Sequence, residues 1–449
     1  MMNNVSEPAR HTPVLGEYEV VVLGGGPSGI AAATAAATAG HKTLLVERYG
    51  FLGGMGTAAG VTNFCGLHAN VHGEIRRVVH GVSTQLTDRI AYLGGLCEPH
   101  SLFDGKIAAQ AYDTAAYKIA ADELLLASGS SLLFHAYAVG VVMRSPREIE
   151  ALLIETKSGR QAIVGQVFID CSGDADIAAA AGVPYEKGDG KGDMLYPSTM
   201  FRVNGVDPLR AGRAWENFDK LMEVASRDGL HFARKSPIIR PQKNPVEWRA
   251  NVTQLSNLDG SAVDGTDARQ ISAGEVAGRR QIAEFMQFLR CYAPGFEQAY
   301  VLEIAPQIGI RETRRITGEY QLTEDDVLTC ASFDDTIGVN GWMIEAHVAG
   351  DVQFKFQYDI PQVRGFNHLP YRMIVPRQVD NMLVAGRCAS MTHMGQSAAR
   401  VTGACFVMGE AAGTAASLSL SSGKRLRELD VKALQSVLAS NGAYLGLDV

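Results

Sequence analysis

The chain of 449 residues has no CxxC pair; its seven cysteines stand singly at 65, 97, 171, 291, 330, 388 and 405. A scattered, odd-numbered set argues against a disulfide framework and suits free thiols in a reducing cytoplasm. There is no excess of positive charge: lysine and arginine number 41 against 48 acids, a net charge of -7 with a pI near 5.9. That balance argues against a nucleic-acid partner or an anionic membrane surface. Long apolar runs are missing too, since the small-residue stretch at 30–40 is too short and too rich in Ala and Thr to span a bilayer. Residues 1–16 are polar with two prolines, which reads as a flexible tail and not as a signal peptide. What remains is an ordinary globular composition, 46% apolar and 20% charged, long enough for two or three domains. The expected location is the cytoplasm.

The most informative stretch is Tyr18-Glu-Val-Val-Val-Leu-Gly24-Gly25-Gly26-Pro27-Ser28-Gly29, followed by an Ala-rich run and Lys42-Thr-Leu-Leu-Val-Glu47. It reads as strand, glycine turn, helix, strand and acid. Gly24 permits the sharp turn, Gly26 lets backbone N–H groups approach phosphate, and Gly29 lets the helix pack closely on the sheet. The pyrophosphate of a dinucleotide then meets the positive end of a helix, and Glu47 can take both ribose hydroxyls. A second glycine-dense loop, Phe51-Leu52-Gly53-Gly54-Met55-Gly56-Thr57, suggests backbone passing close to something flat and bulky.

Further along, apolar residues three and four apart predict amphipathic helix through Glu74–Val79 and Val82–Ile90, and another helix covers 112–128. Strands are expected at 131–136, 139–143, 149–156 and 161–164, then at Gln166–Asp170 running into a polar turn, Cys171-Ser172-Gly173-Asp174-Ala175-Asp176. Residues 185–275 are the least regular. From Leu369 the nucleotide-fold pattern returns, with strand Met382–Ala385, the turn Gly386-Arg387 and a small-residue helix at 396–420. The fold class is therefore α/β. A Rossmann-like domain, its parallel sheet carrying an antiparallel β insertion, occupies 17–199 and 366–449, and an α+β substrate or cap domain interrupts it at 200–365.

These segments resemble the FAD-dependent oxidoreductase family related to the fumarate reductase and succinate dehydrogenase flavoproteins, within the wider glutathione-reductase-like fold. The matching stretches are Gly24–Gly29, Glu47 with Leu52-Gly-Gly, Ile169–Asp176, Ile308–Ile316 and Leu383–Cys388 through Arg400 to Ala416. The resemblance implies FAD, held by Gly24, Gly26, Pro27, Ser28, Gly29, Glu47, Arg48, Gly53, Gly54, Met55, Thr57, Ser172, Gly173, Asp174, Gly386, Arg387, Ser397 and Arg400. Relatives that attach FAD covalently carry a His before the loop threonine; Gly56 stands there, so dissociable FAD is expected. A CxxxxC after the second strand and a second strand-anchored GxGxxG are lacking. Dithiol exchange and a dedicated NAD(P)H domain are therefore not expected, and the electron donor or acceptor stays open.

His393 is the candidate proton carrier beside hydride transfer. Arg311 is a candidate for gripping a substrate carboxylate or carbonyl, and Tyr371 for donating to an oxyanion. For Arg314 and Arg315, ion pairs with neighbouring acids are the blander alternative. Cys65, His68 and Arg372 are candidates for the substrate pocket. Neither the Cys65/His68/His72 spacing nor the Asp170/Asp174/Asp176 string makes a metal site; Asp176 reads instead as a helix cap. The expected function is a dehydrogenase or reductase moving a hydride between flavin N5 and a small organic molecule that bears a carboxylate or carbonyl. The alternatives are a flavin monooxygenase using external NAD(P)H and O2, and an FAD-binding electron-transfer or tRNA-modification-like protein. Homo-oligomerisation is left open.

Overall fold

The computed structural model describes residues 5, 7–358 and 364–448. Residues 1–4 and 6 of the expected tail, and 359–363 of the expected insertion, lie outside the described residues. Strand β1 (Val14–Leu23) is half exposed where it starts and wholly buried over Val20–Leu23, the continuous apolar run of a strand covered on both faces. Helix α1 (Pro27–Thr38) follows at once, and β2 (Thr43–Val46) lies parallel to β1, with Leu23 opposite Val46. Because the strand starts at Val14, which pairs with Ala162, the last three residues of the segment expected to be a tail belong to the sheet.

The helix expected at Glu74–Val79 is instead half of a hairpin, His68–Val71 against Glu74–Arg77. His72 and Gly73 both have positive φ (51° and 94°), the geometry that a two-residue hairpin turn needs. The three-and-four spacing of apolar residues there is coincidental. Helix α2 (Val82–Tyr92) starts only after Gly81, and α3 (Thr114–Ala127) is capped by Asp113, whose carboxylate accepts from Ala115 N and Ala116 N. Strands β3 (Ser131–Leu133), β4 (Tyr137–Ser145), β5 (Glu148–Thr156) and β6 (Gly159–Asp170) complete this part, with β4, β5 and β6 antiparallel in sequence.

Beyond residue 200 the chain builds a second antiparallel sheet from β7 (Phe201–Asn204), β8 (Ile238–Pro241), β9 (Trp248–Asn251) and β10 (Tyr300–Ile304), ordered β8-β9-β7-β10. Helix α4 (Ala268–Tyr292) helps close a separate aromatic core around Trp248, Phe218, Phe285, Phe288 and Phe296. That core is narrower than the expected insertion of 200–365. Leu322, Val327, Ile337 and Ile344 belong to the first core, in one buried cluster with Phe406 and Met408.

The chain returns through β11 (Met382–Val384), parallel to β6, giving the main sheet the order β3-β2-β1-β6-β5-β4 with β11 beside β6. Two helices follow, α5 (His393–Ala399) and α6 (Thr402–Ser422). The small residues of α6 are core, and two of them have a specific reason to be glycine. A Cβ on Gly409 would lie 2.1 Å from Ser28 O, and one on Gly413 would lie 2.2 Å from Ala32 O, so α1 and α6 meet backbone to backbone. Gly413→Val is expected to cost about 1–3 kcal/mol through forced separation of these helices, measured by urea denaturation.

Glu410, also on α6, reaches the amino end of α2, where it accepts from Val82 N at 3.2 Å. Burial pushes its carboxyl up to about 7. The fold thus keeps a proton that the unfolded chain releases from about 4.5, so Glu410 lowers stability as pH rises from about 4.5 to about 7. Glu410→Gln, which keeps the acceptor, is expected to remove that decline when melting temperatures are compared across this window.

Candidate active site

Three distant segments meet at the carboxyl ends of β1, β2, β6 and β11. At the end of β1, Gly24 (φ +101°) turns so tightly that a Cβ would lie 2.3 Å from Cys171 O, and a Cβ on Gly29 would lie 1.7 Å from Gly24 O. Gly26 is the N-cap of α1, Pro27 occupies its first turn, and no side chain caps it. The unsatisfied N–H groups and the helix dipole there suit a phosphate. The second glycine loop rides on the first: Gly53 N donates to Gly25 O at 2.8 Å, and a Cβ on Gly54 would lie 2.8 Å from Gly26 Cα. Thr57 Oγ1 holds that loop by donating to Leu52 O at 2.7 Å, and Met55 Sδ accepts from Gln307.

Glu47 is buried at the end of β2, its oxygens accepting from Gly25 N at 2.5 Å and Tyr49 N at 2.9 Å. Burial raises its pKa, and each oxygen keeps lone-pair capacity for a hydroxyl. From the far end of the chain comes Gly386 (φ +93°), where a Cβ would lie 2.6 Å from Ser28 Oγ. Arg387 beside it donates to Gly173 O at 2.8 Å and to Asp174 Oδ1 at 2.7 Å. Asp174 also accepts from Thr313 Oγ1 and lies 3.8 Å from Arg48. Ser172 Oγ donates to Asp170, and Asp170 Oδ2 accepts from Ala178 N at 3.0 Å. Asp170 therefore holds the helical turn expected to be capped by Asp176, which instead pairs with Arg314 at 2.5 Å. Ser397 is buried and spends its hydroxyl on Met394 O.

The run Arg311-Glu312-Thr313-Arg314-Arg315 sends its side chains different ways. Glu312 is fully buried, accepts from Leu195 N and pairs with Arg315. His393 Nδ1 lies 2.9 Å from Glu312. The imidazole, with Arg315 and Thr392, lines an open cleft of about 1230 Å³ whose other walls include Lys187, Asp189 and Lys355. Arg311 points away, donating to Tyr196 O at 2.7 Å and to Ser198 Oγ at 2.8 Å. Arg400 donates to Glu345 O at 3.2 Å and leaves its buried Nε without a partner.

Two expected site residues lie elsewhere. Tyr371 is buried and donates to Leu426 O at 2.9 Å, so its phenol is consumed in packing. Arg372 is half exposed, pairs with Asp335 at 2.9 Å and does not line the cleft. His68 is buried with an unpartnered Nδ1, and burial, reinforced by Arg77 and His80, pushes its pKa down to about 4. Cys65 is a thiol raised to about 12 by burial, with Arg249 and Arg400 opposing the rise. Among the described residues no group of His, Cys, Asp or Glu could hold a metal, and no helix is long and apolar enough to cross a membrane. Sequence reading passed over Arg234, Arg249, Glu345 and His347, which lie in stretches without a recognisable motif.

A parallel sheet with a glycine turn, an uncapped helix end and a buried acid defines a dinucleotide-binding protein, and the residues present fit FAD. The chain matches the FAD dependent oxidoreductase family over residues 19–438 and belongs to it. It is an oxidoreductase, and its cofactor is FAD. No curated protein matches it. Among solved structures it is similar to a geranylgeranyl bacteriochlorophyll reductase-like protein of Thermoplasma acidophilum, with a TM-score of 0.50, 12% identity, and coverage of 95% of this chain and 84% of that one. A p-nitrophenol 4-monooxygenase of Pseudomonas putida gives a TM-score of 0.42, 10% identity and coverage of 95% and 82%. An L-proline dehydrogenase of P. horikoshii gives 0.38, 12% and coverage of 96% and 99%. At these identities the likeness concerns the fold alone.

Glu47→Ala would leave two backbone donors unpaired and remove the carboxylate expected to accept from the ribose. It is expected to weaken FAD binding at least about tenfold, read by fluorescence titration of the apoprotein.

Proposed function

We propose that the protein is a cytoplasmic dehydrogenase or reductase of a small organic acid or carbonyl compound, functionally closer to the fumarate reductase and succinate dehydrogenase flavoproteins than to hydroxylases. The observation that carries this reading is the junction between the two cores. There Arg249 and Arg400 lie near Cys65, Arg249 donates to Val61 O in the loop after the glycine cradle, and Arg311 lies near Arg400. FAD, when bound, supplies the two-electron acceptor or donor at flavin N5. Gly24, Gly26 and the amino end of α1 would hold its pyrophosphate, Glu47 its ribose, and the Arg387–Asp174 pair the far side of the linker. The sheet of residues 201–304 would cover the site, since Arg249 on β9 donates to Val61 O in the loop after the glycine cradle.

His393 is the proton carrier between the open cleft and the interior. With Nδ1–H donated to Glu312, the neutral ring presents Nε2 as a base toward the cleft. Glu312, held by Arg315, stabilises the ring once it is protonated and fixes its orientation. His393 is bonded to Glu312, and Glu312 in turn lies near Arg400. His393→Ala is expected to slow anaerobic bleaching of the flavin by substrate about 100-fold, with FAD content unchanged. Unaltered bleaching kinetics would remove His393 from the reaction.

A further inference from the structure

Two buried tyrosines stand against the second glycine loop, and the chemistry derived above uses neither. Tyr112 ends the strand Ile107–Tyr112, which pairs antiparallel with Asn63–Cys65, and its N donates to Thr62 O at 3.0 Å. Tyr117 lies on α3. The two rings meet edge to face with centroids 5.1 Å apart. Phe64 packs on both, 4.2 Å from Tyr112 and 5.4 Å from Tyr117. This packing fixes the Tyr112 ring and with it the line along which its phenol points.

The phenol is aimed at Gly56. A Cβ on Gly56 would lie 2.5 Å from Tyr112 Oη and 3.1 Å from Tyr117 Cε1. Gly53 and Gly54 have positive φ (108° and 54°), whereas Gly56 is not among the residues that do. Its missing side chain therefore serves space alone, and the phenol takes that space. Gly56 N donates to Gly53 O at 3.1 Å, and Gly53 N to Gly25 O at 2.8 Å, so two backbone bonds tie this point to the cofactor cradle.

Among the described residues nothing is hydrogen-bonded to the Tyr112 hydroxyl. Tyr117 is wholly enclosed and its hydroxyl is sealed from solvent; Tyr112 keeps 3% exposure and its hydroxyl is not sealed. Apolar packing at such a position asks only for phenylalanine, since an unbonded buried hydroxyl is a cost. Burial, with Tyr117 and Cys65, raises the Tyr112 phenol well above its ordinary pKa against the pull of Arg249. It stays protonated, a rigidly held donor uncommitted to the protein.

We propose that Tyr112 donates a hydrogen bond to the flavin ring of bound FAD and raises its reduction potential. Two-electron reduction places negative charge on the ring, and a donor fixed in advance stabilises the reduced form more than the oxidised one. The phenol keeps its proton throughout. Tyr112 thus sets how readily the ring accepts electrons, and the assignment holds for any substrate.

The test uses the FAD-loaded enzyme without substrate, its midpoint potential measured by equilibration with a reference dye. Tyr112→Phe keeps the ring and removes the hydroxyl. It is expected to weaken reduced FAD about tenfold relative to oxidised FAD, a fall of about 30 mV for the two-electron couple. Tyr117→Phe, which removes the sealed hydroxyl from the same aromatic cluster, is expected to leave the potential unchanged. 3-Fluorotyrosine at position 112, a stronger donor of nearly the same size, is expected to raise it. An unchanged or higher potential in Tyr112→Phe overturns the proposal. An equal fall in Tyr117→Phe also overturns it, because packing would then be the cause. If Tyr112→Phe does not retain FAD, the fluorotyrosine enzyme decides, and a potential that does not rise overturns the proposal.

Discussion

The backbone contact between α1 and α6 is the constraint on which the rest of the site depends. Only because Gly409 and Gly413 carry no side chain can the last long helix lie on Ser28 and Ala32. That contact carries β11 and its turn back to the start of the chain and sets Gly386 against Ser28. The carboxyl-terminal segment then stands beside the glycine turn at the amino end of α1, and neither segment alone would enclose a dinucleotide. Apolar burial supplies the energy around it, through Ile30, Ala33, Phe406 and Ala412 among others. The glycines decide the geometry.

A second constraint is the placement of charge away from water. The run 311–315 contributes to four separate environments within five residues. Arg311 enters the wall of the arginine cluster, Glu312 orients His393, Thr313 supports Asp174, and Arg314 and Arg315 hold Asp176 and Gly188 O. One short segment therefore ties the cofactor side, the buried cluster and the open cleft together. Moving its backbone would disturb all of them at once, so this run behaves as a hub and not as an independent clamp.

The parallel core was legible because its signals are local. A strand, a turn that only glycine can make, a helix and an acid recur at fixed spacing, and Gly24, Glu47 and Gly386 stand where that spacing put them. The hairpin at 68–77 was misread because its apolar spacing fits a helix equally well; the decisive feature was the left-handed pair His72 and Gly73. Tyr371 and Arg372 looked functional for their chemistry, but packing against Leu426 O and pairing with Asp335 consume both. Arg234 and Arg249 could not be seen at all. A buried arginine is recognised by what surrounds it, and their surroundings come from β9, residue 311 and the loop near Cys65, which only the fold assembles.

The positions where local reading failed are also those where the fold carries an unfavourable term. Apolar cores follow from pattern, since each residue gains by burial whatever its distant neighbours are. The arginine cluster runs the other way: like charges crowd together, a cost that Glu345, Glu312 and Asp351 offset only in part. Such a cluster persists only because the surrounding sheet and helices hold it. The α1–α6 contact fixes the amino end of α6 next to Arg400 and so sets the geometry in which these charges are held.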